Sequence, residues 1–324
     1  MAVPFTSTQL TRVVDKRRPV ATPIRDRHFA RASQYGTPNI GIDIMTGPEG
    51  IAVAISHGVQ STRAARDNWS HKSIQIPRFS EHDIVKAADL IGLRAPGELT
   101  QSEALMMRYN EKLDLLRGKF DRTLEFMCIG AIKGSVTDGA GNVLVTYDVP
   151  SAVSVTFNAA GDGDDPFETF RVARRTIARK LGMMPGEIYA YCGDDAFDLL
   201  NNEGRVVAAR ANVGGNAQVG QTAEGVVTRI GETLVENYPF VYDDAAGAEQ
   251  KFIADNEIVF VPTNIDGEIV RGPCETPQGL ALQEWFVDAW QERDPAATKL
   301  RLETNRVPLV RRPDAIYRMT VSGT

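Results

Sequence analysis

One amphipathic stretch, residues 100–133, constrains the fold more than any other part of the chain. Its apolar residues recur at steps of three or four, which is the spacing of one face of an α-helix. They are Leu105, Tyr109, Leu113, Leu116, Phe120, Leu124, Met127 and Ala131. Charged residues, including Asp121 and Glu125, occupy the remaining faces. The stretch therefore predicts a single long helix with one buried side.

Capping signals mark both ends of this helix. Thr100 and Glu103 have the spacing of a capping box, and Gly134 follows the last helical residue. A helix of this length would extend roughly 50 Å and would be about three times as long as the mean globular helix. It either lies along a sheet or acts as a spine from which separate parts of the chain hang.

Composition excludes several classes of protein. The chain has 324 residues, of which 43% are hydrophobic and 24% charged, and its formal net charge is −6. That is enough apolar material for one large core or two smaller ones. A run of about 18 apolar residues is absent, so we expect no membrane-spanning helix. The first twenty residues lack the continuous apolar segment of a signal peptide.

The residues that usually carry catalysis or bind metals show no recognisable pattern. Three widely spaced cysteines, Cys128, Cys192 and Cys274, form no C-x-x-C pair and are expected to be buried free thiols. The four histidines all lie in the first 82 residues, and no HExxH motif, Ser-His-Asp signature or Walker loop occurs. Neighbouring acids such as Asp194 and Asp195 are typical of helix caps. We therefore expect no enzyme activity, no cofactor and no metal.

Residues 1–45 form a proline-containing segment in which Arg and Lys outnumber Asp and Glu. They show no helical or strand period, so we expect an extended arm that makes no core of its own. It is either a disordered tail or an arm that becomes ordered on a neighbouring subunit or another anionic partner.

Residues 46–90 look like a long hairpin with a polar, charged tip. Strand-forming residues 51–55 and 74–79 flank the polar residues 60–72, and Pro77 favours an edge position for the second strand. An isolated two-stranded hairpin is barely stable in water, so it needs a surface to lie on. Residues 81–93 then read as a short helix leading to residues 100–133.

The rest of the chain alternates short strands and helices. Asp138–Asn142 is typical of a hairpin turn, and Asp165 followed by Pro166 is typical of a helix start. That helix carries a basic face, which is either solvated or meets an acidic neighbour. Further expected elements are strands at 149–157, 187–191, 232–242, 257–262 and near 307–321, and helices at 195–202 and 280–291. The glycine-rich segment 213–220 lacks the spacing of a phosphate-binding loop.

The order of these parts resembles the major capsid proteins of tailed bacteriophages, specifically the lambda-like major capsid protein E family. The segments that carry the resemblance are FDRTLEFMCIGAIKGSVTDGAGNVLVTYD (120–148), HKSIQIPRF (71–79), AYCGDDAFDLLNN (190–202), FVYDDAAG (240–247), NEIVFVPTN (256–264) and RVPLVRRPDAIYRMTV (306–321). Together they extend over most of residues 70–321, whereas the first 45 residues contribute least.

The resemblance implies an α+β protein with the tailed-phage major capsid fold. Its parts would be an N-terminal arm (1–45), an extended loop (46–90), a peripheral domain (91–160 and 300–324) containing the spine helix, and an axial domain (161–299). The protein would assemble itself into pentamers and hexamers of an icosahedral head shell that encloses phage DNA. It would reside in the virion after assembly in the host bacterial cytoplasm.

Expected partners and contact residues follow from this resemblance. Besides other copies of itself, the chain would meet scaffolding, portal and decoration proteins and, non-specifically at the inner surface, packaged DNA. Expected intersubunit residues are Arg63, Arg66, Asp67 and Lys72 at the loop tip and Arg17 and Arg18 in the arm. Gly214, Gly215 and Gly220 are expected in the loop at the capsomer centre. The alternatives are an encapsulin-like compartment shell and an α/β ligand-binding or hydrolase domain.

Overall fold

The computed structural model describes residues 22–46, 68–86, 101–211, 219–221, 227–244, 247–292 and 297–323. The helices in these ranges are α1 (Pro23–His28), α2 (Gln101–Lys133), α3 (Pro166–Leu181), α4 (Asp194–Asn202) and α5 (Gly204–Ala211), and a 3-10 turn covers Pro313–Ala315.

Helix α2 confirms the expected spine. Its apolar stripe is buried from Tyr109 to Ala131, while Leu115, which falls outside the stripe, is 69% exposed. Gly134 ends the helix with φ of 103°, a conformation that suits glycine because it has no Cβ. The capping box lies outside the described residues, because Thr100 and the side chain of Glu103 are among those left undescribed.

A seven-stranded mixed sheet forms the largest layer. Its order is β7 (Val153–Thr156), β21 (Tyr317–Ser322), β14 (Glu257–Pro262), β8 (Ile188–Cys192), β11 (Thr233–Asn237), β10 (Val227–Ile230) and β9 (Val219–Gln221). Strand β21 runs parallel to β7 and antiparallel to β14. The C-terminal strand thus lies between two strands that precede it in the chain.

The remaining strands form smaller sheets. One three-stranded sheet contains β1 (Arg31–Gln34), β15 (Gly267–Arg271) and β20 (Arg306–Val310), and another contains β18 (Phe286–Glu292), β19 (Ala297–Thr304) and β4 (Phe79–Lys86). Two-stranded pairs are β2 (Asn39–Thr46) with β3 (Asn68–Gln75), β5 (Ser135–Thr137) with β6 (Val143–Thr146), β12 (Val241–Asp243) with β13 (Glu249–Lys251), and β16 (Cys274–Thr276) with β17 (Gly279–Ala281).

The central sheet buries both faces. Val259 and Val261 of β14 pack into the first core, with the C-terminal half of α2 and the β15–β20 pair. Ile258 and Phe260 point to the second core, beneath α3 and α4. This alternation follows from the two-residue period of a strand, and the near-continuous apolar run of β14 suits a strand covered on both sides.

A third core lies along the N-terminal half of α2. Tyr109, Leu113 and Phe120 pack there against Leu300 and Leu302 of β19. The long helix is therefore shared by two cores, which explains why it is longer than either core alone requires.

Several sequence expectations are confirmed. Helix α3 begins after Asp165, whose side chain accepts a hydrogen bond from the N–H of Phe167 at 2.9 Å. The turn at Asp138–Asn142 connects β5 to β6, and the side chain of Asp138 accepts from the N–H groups of Ala140 and Asn142. Strands β7, β8, β14 and β21 and helix α4 lie where the sequence places them.

Other expectations are wrong. Residues 280–291 are not helical, because Phe286–Glu292 is a strand that pairs along β19. Residues 81–86 belong to β4, which pairs with the other edge of β19, while 87–93 lie outside the described residues. The expected strand at 232–242 is interrupted between Asn237 and Val241. For β4 the partner strand lies about 200 positions away, whereas β18 pairs with the next strand in the chain; both pairings override the local helical pattern.

The segment after Thr22 also differs from the expected extended arm. It forms α1 and β1, and Ile24 and Phe29 are buried in the first core. Residues 1–21 and the expected strand at 51–55 lie outside the described residues.

Candidate assembly surfaces

The N-terminal segment is attached to the spine by a buried carboxyl group. Glu125 of α2 accepts the backbone N–H of Ile24 at 2.9 Å and that of Arg25 at 3.0 Å. The hydroxyl of Tyr238 donates to the same side chain at 2.7 Å. Burial raises the pKa of Glu125, although these donors oppose the shift. Glu125 thereby takes the place of an N-terminal cap for α1.

Glu125 and its neighbour Asp121 correct the sequence analysis. Both were expected on the polar faces of the helix, yet they are 3% and 1% exposed. The reason is that the faces on which they lie are covered by α1 and β20. A charged residue in a helix shows no sequence signal for a partner about a hundred positions away.

A second buried polar group lies at the end of α1. His28 is 3% exposed, and its Nε2 lies 2.9 Å from the hydroxyl of Tyr191 in β8. Burial, together with the nearby Arg27 guanidinium, lowers the pKa of His28 to about 4. Arg27 forms an ion pair with Glu236 and lies 4.7 Å above the Tyr189 ring. This network fixes α1 against the interior strands β8 and β11 of the central sheet.

The β2–β3 hairpin lies in the region of the expected extended loop, but β2 (Asn39–Thr46) falls almost entirely within the predicted arm and β3 (Asn68–Gln75) begins within the segment 60–72 that was expected to be a turn. It pairs from Asn39 with Gln75 to Thr46 with Asn68, and Ile40 and Ile74 anchor its base in the first core. In the described part of the chain these two strands pair with no third strand. Because a lone two-stranded ribbon is marginal in water, the far end of the hairpin needs support from another surface.

Only two of the predicted contact residues lie within the described ranges. Lys72 is in β3, where its ammonium group donates to the carbonyl oxygen of Thr146 and lies 5.8 Å from the centre of the Tyr147 ring. Gly220 is in β9, opposite Arg229 of β10. Arg17, Arg18, Arg63, Arg66, Asp67, Gly214 and Gly215 lie outside the described residues. The intersubunit role of all these residues stays a prediction.

Exposed apolar side chains mark surfaces that the sequence analysis did not identify. Met183 and Met184 follow α3, and Leu280 and Leu282 lie in and just after β17. All four are more than half exposed in the single chain. The consecutive methionines in a Gly- and Pro-containing turn are a signal that could have been noticed, since large apolar residues in exposed turns often mark contacts.

The basic face of α3 is exposed as expected. Arg171, Arg175 and Arg179 are exposed at steps of four residues. Arg171 lies 4.0 Å from Glu168, and Arg174 on the neighbouring row pairs with Glu232. Like charges at this spacing repel weakly, so the row is suited to an anionic surface outside the single chain.

The described residues contain no arrangement typical of an active site. All three cysteines are free and buried, and burial raises their pKa values, to about 12 for Cys274, so the thiols are protonated at neutral pH. Within the described ranges no three His, Cys, Asp or Glu side chains are grouped as metal ligands. Nor does any described helix combine the length and hydropathy needed to cross a bilayer.

Comparison with known families resolves the identity of the fold. The model of the phage major capsid protein E family matches residues 6–321. The chain belongs to this family. A comparison with curated proteins finds no match.

Solved structures agree with the family. A prophage protein of E. coli CFT073 that is assigned as a capsid protein superposes with a TM-score of 0.68 at 13% identity, covering 99% of this chain and 100% of that one. The mature capsid of bacteriophage PhiM1 gives a TM-score of 0.56 at 14% identity, covering 95% and 89%. A phage-related protein from Bordetella bronchiseptica RB50 gives 0.54 at 12%, covering 97% and 96%.

These findings establish the coarse function. The capsid protein has the tailed-phage major capsid fold and is a head-shell component of the virion. The family is structural, and self-association into a shell is its function. The encapsulin-like alternative is less supported, since the family match and the superposed structures are from phages and prophages.

Proposed function

We propose that the capsid protein assembles into rings of five and six copies that close into an icosahedral shell around phage DNA. The observation that carries this proposal is the β2–β3 hairpin, whose base is anchored in the first core and whose strands have no further strand partner in the described residues. Heterologous contacts of one hairpin with the next subunit generate closed rings when the rotation between subunits closes.

The proposed parts are those expected from the sequence, and their bounds remain proposals. Residues 1–45 would be the arm, 46–90 the extended loop, 91–160 and 300–324 the peripheral domain, and 161–299 the axial domain. The sheets do not follow these bounds, because β7 and β21 lie in the sheet of β8 and β14, and β18 packs with β19 and β4 on α2. A division that follows the cores would assign β18 to the same unit as the spine.

The proposed contacts divide into two groups. The loop-tip residues Arg63, Arg66, Asp67 and Lys72, with Arg17 and Arg18 of the arm, would form intersubunit ion pairs. Gly214, Gly215 and Gly220 would lie at the capsomer centre. Lys72 also donates a hydrogen bond to the carbonyl oxygen of Thr146 in its own chain. An intersubunit ion pair of Lys72 would have to coexist with this hydrogen bond or replace it.

Proposed partners outside the shell protein itself are scaffolding, portal and decoration proteins, with assembly in the host cytoplasm. DNA would be held only weakly, because a net charge of −6 repels the phosphate backbone and leaves the genome free to move. The role would be purely structural, without a catalytic step.

The experiment is negative-stain microscopy of the full chain expressed alone, with its size distribution measured in solution. We expect closed shells, tubes or rings of five and six copies. A chain that stays monomeric at high concentration, both alone and when co-expressed with the neighbouring phage genes, would contradict the proposal. A shell that encloses a cargo enzyme instead of DNA would favour the encapsulin-like alternative.

A further inference from the structure

A cavity of about 380 Å³ lies where α1, α2 and β20 meet. Its wall includes Arg25 of α1, Arg117 and Asp121 of α2, and Arg306 at the start of β20. The side chains of Arg271 and Glu284 are about one-third exposed, so they form the rim. A volume of this size holds a small ion together with several waters.

The charges around the cavity do not balance. Four arginines (Arg25, Arg117, Arg271 and Arg306) face three carboxylates (Asp26, Asp121 and Glu284), which leaves one excess positive charge. Asp121 is shared by the guanidinium groups of Arg306 at 3.3 Å, Arg25 at 3.4 Å and Arg117 at 3.7 Å. Arg25 also pairs with Asp26 at 2.9 Å, and Arg306 also lies 3.5 Å from Glu284, so the excess positive charge belongs to the group as a whole.

Arg306 is the most informative of these residues. It is 3% exposed, and no hydrogen-bond acceptor for its Nε lies among the described residues. Its second carboxylate, on Glu284, is at 3.5 Å. Burial lowers the pKa of Arg306, as expected of a cation that its neighbours compensate only in part. A buried, incompletely paired guanidinium is costly, so a ligand that supplies acceptors is favoured.

Trp285 holds the guanidinium groups in place. Its ring lies 4.3 Å from the Arg306 guanidinium carbon and 5.5 Å from that of Arg117. Stacking on an indole fixes the plane of a guanidinium group and leaves its N–H edge available for an oxyanion. The same indole is a spectroscopic reporter of what binds in the cavity.

We propose that this cavity binds one oxyanion, a carboxylate or a phosphate group. The bound anion connects the guanidinium groups of α1, α2 and β20 and so stiffens the attachment of the N-terminal segment to the spine. The group comes either from a free ion or from an acidic side chain of a second copy of the chain. Because binding can be measured on unassembled subunits, the site does not depend on the proposed mode of assembly.

The test titrates inorganic phosphate into full-length subunits at constant ionic strength, with chloride as the reference, and follows tryptophan fluorescence and the thermal midpoint. Arg271→Gln removes a cationic donor at the rim, and we expect it to weaken phosphate binding about tenfold or more. Glu284→Gln removes a competing carboxylate and is expected to tighten binding. Arg31→Gln, at an ion pair with Asp266 that is not part of the cavity wall, is the matched control and should bind like the wild type.

The two rim variants separate binding from loss of structure. Both break the same Arg271–Glu284 ion pair of 2.9 Å, yet they should shift the affinity in opposite directions. No difference between phosphate and chloride in the wild type, or equal affinities in all variants, would overturn the proposal, since the cavity would then hold only water.

Assembled shells distinguish the two sources of the anion. Phosphate bound by both subunits and shells would identify a free ion. Phosphate bound by subunits but excluded from shells would identify an acidic side chain of a neighbouring copy.

Discussion

At the scale of single residues, the least predictable feature is the burial of charge on the spine helix. Asp121 and Glu125 satisfy the sequence rule for exposed helix positions, yet they hold Arg306, Arg25 and the start of α1. Their partners are about 100 or more positions away, so no local pattern could reveal them. The apolar stripe of the same helix was predictable because its spacing is a property of the helix itself.

His28 provides a test at this scale. Its pKa is about 4 in the folded protein and 6.5 as the ordinary value, so the unfolded chain binds more protons between these pH values. Stability is therefore unaffected by the titration of this imidazole above about pH 6.5. As the pH falls towards 4, the free energy of unfolding decreases by a total of about 3 kcal/mol. We expect His28→Gln to flatten this part of the stability profile, measured as the free energy of unfolding in denaturant at several pH values.

The control for this experiment is the exposed His82 of β4, which is replaced in the same way. His82→Gln should keep the pH profile of the wild type. If His28→Gln also kept it, the assignment of the acid sensitivity to the buried imidazole would be wrong.

At the scale of elements, local signals predicted several helices and the central strands well, and strand pairing overrode them elsewhere. α2, α3 and the turn before β6 follow from spacing, a cap and a turn sequence. Strands β4 and β18 were expected to be helical, but both pair with β19, and β4 is about 200 positions from it. An amphipathic segment of a few residues fits either period, so the partner strand decides.

The spine helix offers a matched pair of leucines. Leu113 is fully buried in the third core, whereas Leu115 on the same helix is 69% exposed. We expect Leu113→Ala to lower the free energy of unfolding by about 2–5 kcal/mol, because it leaves a cavity between α2 and β19. Leu115→Ala should change it by less than about 0.5 kcal/mol. Chemical denaturation of unassembled subunits measures both, and equal effects would contradict the orientation of the helix.

At the scale of the whole molecule, the order of parts along the sequence indicated the family, and the structure shows where these parts join. Ile24 and Phe29 belong to the first core, so part of the segment expected to make no core of its own packs into the body of the chain, while the bounds of the arm stay a proposal. Nothing in residues 22–34 has a clear period, so only the surfaces of α2 and β15 show that this segment is part of the body. The loop-tip contacts remain a prediction.

A prediction for the assembled molecule concerns that tip. Replacing Arg63, Arg66, Asp67 and Lys72 together by Ala should impair shell formation without unfolding the subunit, whose unfolding midpoint should match that of Lys72→Ala alone, because intersubunit ion pairs stabilise only the assembly. Lys72→Ala alone is the control for the bond to Thr146 within the chain. Microscopy and sedimentation measure assembly, and normal shells from the fourfold variant would show that the tip is dispensable.

The position of β21 has a consequence for the time at which the protein can fold. Residues 317–322 leave the ribosome after β7 and β14, yet they insert between these two strands. Until then β14 is an open edge of the sheet, and β7 has no strand partner among the described residues. A nascent chain therefore cannot complete the sheet, and a subunit becomes competent for the shell only after residues 317–322 have been synthesised.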